Sequence, residues 1–477
     1  MVSGRRSDKE NIYINACFAV FYAGYNMKKM RIRIQNAEIV NEDARRRGTV
    51  TVEDGVISGI VPASDSFHAL PDADYVVEAD DMLLMPGMID EHVHFREPGL
   101  TRKGDIESES RAAAAGGVTS YMDMPNVIPQ TTTIEALNDK FEAAKGRSVV
   151  NYSFYFGATA DNASLLPRLN VGRVCAVKLF MGSSTGNMLV DDEASLKKIF
   201  SCSPLLIVAH CEDAKLIDAN LKAYRSRWGN DPDVRFHPLI RSEEACLRSS
   251  RRAVSLAKAA DARLHVAHIS TARELELFSR EPLSPEKKIT AEACLPHLIY
   301  NSDDYARLGA RIKCNPAIKT AVDRDALRSA LSDNQIDTVA TDHAPHLYSE
   351  KTGGCAKAAS GMPMVQFALP CLFELYEEGI LTPERIVRLV CHNPALLFHI
   401  SRRGFIREGY YADLTLLRRK QWTLNMHDIL SKCGWSPLEN ETFRWQVAAT
   451  YCNGQLVYTS GADNAFEPCG KELTFER

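Results

Sequence analysis

Eight short apolar runs, most of them separated by stretches of helical character, dominate the middle of the chain and dictate its architecture. They lie at 84–94, 118–124, 149–157, 174–181, 205–210, 264–269, 288–292 and 338–342. Helical periodicity fills intervals such as 106–115, 134–145, 193–200 and 272–278. Apolar strands alternating with helices are what a parallel sheet covered by helices requires. Eight such units in succession fit a closed (β/α)8 barrel. An open doubly wound sheet would carry a glycine-rich first turn, and the sequence contains no GxGxxG.

The flanks read differently. Before the barrel, β-like pieces occur at 31–36, 48–53, 56–61 and 75–78, with Glu53-Asp54-Gly55 marking a hairpin turn. After it, 363–378 and 383–391 read as helices, and strands return at 413–417, 447–451 and 455–458 around an Asn453-Gly454 turn. The expected organisation is a barrel over 84–404 and one small β domain built from 27–83 and 405–477. Residues 1–26 are expected to be a disordered extension. Arg5, Arg6 and Lys9 precede an apolar stretch as in a signal peptide, but Asp8 and Glu10 interrupt the basic region and no small-x-small cleavage site follows.

Charge narrows the range of functions. Lys and Arg number 57 against 61 Asp and Glu, a net charge of −4, with no basic block of the kind that binds nucleic acid or anionic lipid. No apolar run approaches the roughly 20 residues of a membrane span. Small-molecule chemistry is the remaining expectation. The 13 cysteines are odd in number and include no CxxC pair, so neither a disulfide framework nor a zinc knuckle is legible, and a reducing cytoplasm suits them.

The first run ends in Asp90-Glu91-His92-Val93-His94-Phe95-Arg96. Strand alternation would turn His92, His94 and Arg96 to one face, where two imidazoles can grip a metal ion. An isolated HxH is more often a pair of core or surface histidines. Recurrence changes that balance, because His210, His268 and Asp342 each end another run, at the barrel edge where active sites gather. Lys178 is the one charge in Ala176-Val177-Lys178-Leu179-Phe180. A buried ammonium must either pair with a carboxylate or change its chemical state, for instance by reacting as the free amine with carbon dioxide to give a carbamate. The residue alone leaves both readings open.

Other polar residues read as support. His237, His297, His392, His399 and His427 lack strand-end placement and read as core or surface groups. His343 is expected to face away from Asp342 and support its loop. Asp123 and Glu212 read as structural partners, and Asp191-Asp192-Glu193 as a helix start.

Five segments together resemble the amidohydrolase superfamily and, within it, the class I dihydroorotases of bacterial type. They are 85–99, Lys178 with the following Gly182-Ser183-Ser184, 208–213, 266–269 and Thr341-Asp342-His343-Ala344-Pro345-His346, and the resemblance runs from about residue 30 to 458. It implies a binuclear centre, usually zinc. His92, His94 and Asp342 would hold one ion and His210 and His268 the other, with carboxylated Lys178 bridging them. It further implies that a hydroxide shared by the ions attacks the cyclic amide, that Asp342 is general base and acid, and that Arg96, Asn126, Asn315 and His346 surround the substrate. The reaction would be the reversible cyclisation of N-carbamoyl-L-aspartate to L-dihydroorotate, a step of pyrimidine synthesis.

Two segments depart from the family pattern. Asn315-Pro316-Ala317-Ile318-Lys319 stands where Asn-Pro-Pro-Leu-Arg is common, and Met364-Val365-Gln366-Phe367 where Gly-Leu-Glu-Thr is usual. Both bear on substrate detail. The alternatives are an allantoinase or hydantoinase acting on another cyclic ureide, and a noncatalytic scaffold, against which the six intact ligand positions speak. A barrel with an apolar flank would suit a homodimer.

Overall fold

A computed structural model describes residues 30–63, 72–182, 188–462, 464 and 466–477. The expected extension at 1–26, and Ser183 and Ser184 after the Lys178 strand, lie outside the described residues. β1 (Arg31–Asn41), β2 (Ala44–Glu53) and β3 (Val56–Pro62) form an antiparallel meander. Ile32, Ile34, Val50, Val52 and Ile57 are buried on one face of it, so alternation selects the inner side. Asp54 and Gly55, with φ of 52° and 82°, close the β2–β3 hairpin in the left-handed region that such tight turns need. β4 (Tyr75–Glu78) and β5 (Met82–Pro86) lie parallel to β1.

The barrel begins one residue later. β6 (Met88–Val93), β7 (Val118–Asp123) and β8 (Asn151–Phe154) pair in parallel. β9 (Phe156–Gly157), β10 (Val177–Phe180), β11 (Ile207–His210), β12 (Leu264–Val266), β13 (Ile289–Cys294) and β14 (Thr338–Ala340) continue in the same sense. β8 and β9 are one stave interrupted at Tyr155, so the described residues give eight staves. The ring closes where Val93 bridges His343 and the His94 N–H donates to the His343 carbonyl at 2.7 Å. This is the expected (β/α)8 barrel.

The run expected as one strand at 84–94 is two, because it serves two sheets. Gly87 is the break: a Cβ there would lie 2.2 Å from the Thr119 side chain, so only glycine lets the chain pass from β5 into β6 against β7. The helix expected at 272–278 is a 3-10 segment, Arg273–Leu277. The one expected at 363–378 is a 3-10 turn, Val365–Phe367, leading into a helix at Ala368–Glu377. The one expected at 383–391 runs on through a wider turn into Asn393–Phe398, because Pro394 falls in the first turn of that continuation, where its missing N–H costs nothing.

β15 (Leu414–Thr423), β16 (Thr442–Cys452) and β17 (Gln455–Thr459) return to the first sheet. Its order is β17-β16-β15-β5-β1-β2-β3, and the two ends of the chain meet in the antiparallel β5–β15 pair. The sheet has its own core of Ile34, Val50, Leu84, Leu414, Leu416 and Tyr451, among others. The final residues leave the sheet and lie along the barrel: Tyr152 bridges Glu472, and Ile400 bridges Phe475.

A buried polar knot ties sheet to barrel. Asp413 pairs with Arg403 and accepts from Asn151 Nδ2 at 3.2 Å and from the Asn453 N–H at 2.7 Å, while Asn453 also holds Asn151. Both charges are almost fully buried. Asp413→Ala would leave the Arg403 guanidinium unpaired, an expected loss of about 3 to 5 kcal/mol. Urea unfolding with an unchanged m-value is the measurement that checks it.

Candidate active site

The C-terminal ends of the barrel strands deliver the expected site residues to one place. His92 lies on β6, Lys178 on β10 and His210 at the end of β11, while His94, His268 and Asp342 lie just past the ends of β6, β12 and β14. All six line a single cleft of about 350 Å³ together with Arg96, Asn126, Asn315 and His346. Arg96, His268 and Asp342 are non-glycine residues at φ of 69°, 38° and 47°. Such backbone costs on the order of 1 to 3 kcal/mol per residue and persists where the surroundings over-determine it, as at functional sites. Arg96 therefore does not reach the cleft by the strand alternation expected of it. β6 stops at Val93, and a left-handed turn aims the guanidinium instead.

Each imidazole is oriented by a partner that decides which nitrogen it offers. His92 Nδ1 is 2.8 Å from Glu292 Oε1 and His94 Nδ1 is 2.8 Å from Asn126 Oδ1. Their Nε2 atoms face Asp342 Oδ1 at 3.4 and 3.2 Å. His210 is the reverse: its Nε2 is 2.8 Å from Glu212 Oε2, and its Nδ1 is 2.9 Å from His268 Nε2. Orienting partners of this kind fix the tautomer of metal-ligating histidines.

The electrostatics suit a cation. His92, His94 and Asp342 each put one ligand atom within 4.8 Å of the other two. Burial pushes His94 down to about 4 and His268 well below its ordinary value, so both are neutral donors. Burial alone would raise Asp342, but His92 and His94 hold its carboxyl below the usual range. Lys178 is fully buried, its Nζ has no hydrogen-bond partner, and burial lowers its pKa against the pull of Glu292 and Asp342. His268 Nδ1 is likewise buried without a partner. Neutral imidazoles crowding a carboxylate and an orphaned amine are a nitrogen and oxygen donor set of the kind that takes divalent zinc or a similar ion.

The other end of the cleft is built to meet an anion. Arg96 Nε donates to the Pro345 carbonyl at 2.9 Å and its NH2 is 3.1 Å from His346 Nε2. The guanidinium does not pair with Glu97, which is engaged by Arg147 at 2.8 Å. Gly99, at φ 81°, holds the following turn against Ile128, where a Cβ would sit 2.0 Å from a carbonyl oxygen. Asn315 is backed by His237 Nε2 at 3.1 Å, and His297 Nε2 is 2.9 Å from the Pro316 carbonyl. These two histidines, read from sequence as core or surface groups, are buried and brace the loop that carries Asn315 and Pro316. Lys319, in place of the family arginine, donates to the Ala317 carbonyl at 2.9 Å within that loop.

Glu292 was not singled out in the sequence, although it ends an apolar run as the histidines do. It carries His92 and also accepts from the His268 N–H at 2.8 Å. Glu212, expected to be structural, holds both His210 and Arg241. His343 faces away from the cleft as expected, 2.8 Å from Glu109 and accepting from the Met364 N–H.

Known proteins share this arrangement. A family model described as "Dihydro-orotase-like" matches residues 81–274, and one described as "Amidohydrolase family" matches 249–457. The chain is 35% identical to a dihydroorotase of Halobacterium salinarum over 84% of its own length and 93% of the relative's. It is 32% identical to an allantoinase of Bacillus velezensis over 90% and 94% respectively. Among solved structures, the L-hydantoinase (dihydropyrimidinase) of Arthrobacter aurescens superposes with a TM-score of 0.86 at 26% identity, covering 93% of this chain and 99% of that one. Relatives so similar over so much of the chain, on a barrel that gathers histidines, a lysine and an aspartate at one mouth, leave one assignment: the chain belongs to the dihydroorotase-like group of the amidohydrolase family and is a hydrolase acting on the carbon–nitrogen bond of a cyclic amide.

Proposed function

We propose that the chain is a dihydroorotase, interconverting N-carbamoyl-L-aspartate and L-dihydroorotate. The observation that carries this reading is the buried Arg96 guanidinium at the end of the cleft beside His346. A planar guanidinium matches a carboxylate through two parallel hydrogen bonds, and dihydroorotate carries one where allantoin and hydantoin carry none. Dihydroorotases also recur among the relatives.

His92, His94 and Asp342 would hold one divalent ion, most readily zinc, and His210 and His268 a second. Lys178, whose pKa burial lowers, would react as the free amine, forming a bond from Nζ to the carbon of carbon dioxide and losing a proton to leave a carbamate between the two sets. When bound, the ions supply a water activated near neutral pH and a Lewis acid for the ring carbonyl. Arg96, Asn126 and Asn315 orient the ring so that its amide carbon faces the histidine cluster. Asp342 takes the proton of the attacking water and passes it to the departing ring nitrogen. In the closing direction the same carboxylate takes a proton from the ureido nitrogen as the C–N bond forms and returns it to the oxygen that leaves the carboxyl carbon as water.

Purified protein assayed on dihydroorotate, allantoin and hydantoin side by side tests the reading. Dihydroorotate is expected to give the highest kcat/KM, activity is expected to vanish on chelation, and added zinc is expected to restore it. Preference for a ring without a carboxylate would overturn the substrate assignment.

Among the described residues, no helix is long and apolar enough to cross a membrane. The scattered thiols and a small-molecule substrate support a cytoplasmic setting for this activity.

A further inference from the structure

Both ring nitrogens of His346 face cationic donors. Lys103 Nζ is 3.0 Å from Nδ1, and Arg96 NH2 is 3.1 Å from Nε2. A neutral imidazole has one N–H and one lone pair, so it can accept from only one of them. Two oxygens decide between the tautomers. The Ser360 carbonyl, which only accepts, is 3.0 Å from Nε2, and Glu350 Oε2 is 3.4 Å from Nδ1. With the proton on Nε2, Lys103 donates into Nδ1 and Nε2–H donates to Ser360, leaving Arg96 facing an N–H and the more distant Glu350 Oε2 facing a lone pair. With the proton on Nδ1, the ring opposes the Lys103 ammonium and also turns a lone pair on the Ser360 oxygen. Each arrangement has two mismatches, but those of the first are the longer ones, Arg96 at 3.1 Å and Glu350 at 3.4 Å, against Lys103 and Ser360 at 3.0 Å each in the second, so the first is favoured.

We propose that Lys103 is a positioning residue that fixes His346 as its Nε2–H tautomer and so makes the Arg96–His346 end of the cleft donor-only and selective for anionic substrates. The Arg96 mismatch is what a carboxylate relieves, because it accepts from Arg96 and from Nε2–H together. Lys103 is itself held in place by Glu350 at 3.1 Å, which Arg102 also engages at 2.6 Å. The His346 backbone is pinned by Trp435 Nε1 donating to its carbonyl at 2.7 Å, so the ring cannot simply swing away. Burial, with Arg96, Lys103 and Lys351 nearby, pushes His346 far below its ordinary pKa and keeps it neutral.

The kinetic part of this proposal rests on the dihydroorotate reading, whereas the tautomer is read without substrate. Nitrogen-15 NMR of histidine-labelled protein, with His346 assigned by its loss in His346→Gln, is expected to find the proton on Nε2 in the wild type and on Nδ1, donating to Glu350, in Lys103→Met. Lys103→Met is expected to raise KM for dihydroorotate about tenfold with a smaller change in kcat, and to lower the preference for dihydroorotate over dihydrouracil by a similar factor. Lys103→Arg, which keeps a cationic donor, is expected to restore the tautomer and part of the preference. An unchanged Nε2–H in Lys103→Met overturns the proposal, and so does a moved proton with undiminished preference for the carboxylate-bearing ring. If the wild type does not turn over dihydroorotate at all, the substrate assignment fails instead, and the tautomer measurement tells the two failures apart.

Discussion

Lys178→Ala is expected to remove one or both ions and to lower kcat by at least about a thousandfold, the loss of roughly 4 kcal/mol of barrier lowering. The Lys178 amine is fully buried and has no hydrogen-bond partner. A group in that position is costly in the protein as it stands, and the proposed function accounts for it, because bound metal and carbon dioxide would turn it into an anionic ligand. Stability separates this role from a structural one. Without metal, removing an unpartnered buried amine should leave the melting temperature unchanged or raise it. With metal, the wild type should gain stability that the variant does not, since only a competent site binds ions in preference to the unfolded chain. Elemental analysis, together with melting curves before and after chelation, reads both effects. Short carboxylic acids are expected to restore some activity by occupying the vacated space as a bridging anion. Full metal occupancy with near-normal turnover in Lys178→Ala would sink the carbamate assignment.

What the sequence disclosed and what it hid follow from the range of the interactions involved. The eight barrel strands and the ligand-type residues at their ends are local patterns, so alternation and strand termini were enough to bring His92, His94, His210, His268 and Asp342 into one list, to which the family resemblance added Lys178. Three features depended on contacts distant in the chain. The passage from β5 to β6 at Gly87 exists because Thr119 leaves no room for a side chain, a fact carried by a residue on another strand. The positive φ of Arg96 is imposed by packing and has no local signature, whereas His268 and Asp342 are of types that enter that region more readily. The orienting partners Glu292 and Asn126 are 200 and 32 residues away from the histidines they hold. A fourth is Lys103, which was not singled out in the sequence and meets His346 243 residues further along the chain, with Glu350 beside it.

Arg96→Met is expected to keep the metal content of the wild type while kcat/KM for dihydroorotate falls by about 2 to 4 kcal/mol, roughly 30- to 1,000-fold. Metal binding should survive because no histidine of the cluster depends on Arg96. His92 is held by Glu292, His94 by Asn126 and His210 by Glu212. The large loss follows from burial. The guanidinium is almost fully enclosed, and burial pushes its pKa down to about 10, yet it stays charged at neutral pH and would meet a substrate carboxylate where water cannot compete. Methionine fills similar volume without the charge, so the deficit measures the contact rather than a cavity. Arg96→Lys should recover only part, because an ammonium cannot make the planar two-point contact and cannot both hold the Pro345 carbonyl and reach the substrate. Turnover of a ring without a carboxylate should change far less than that of dihydroorotate, and this ratio is the decisive measurement. Unchanged dihydroorotate kinetics in Arg96→Met would leave a metal-dependent cyclic amidohydrolase whose specificity lies elsewhere in the cleft, with Asn126 and the Asn315 loop as the next positions to vary.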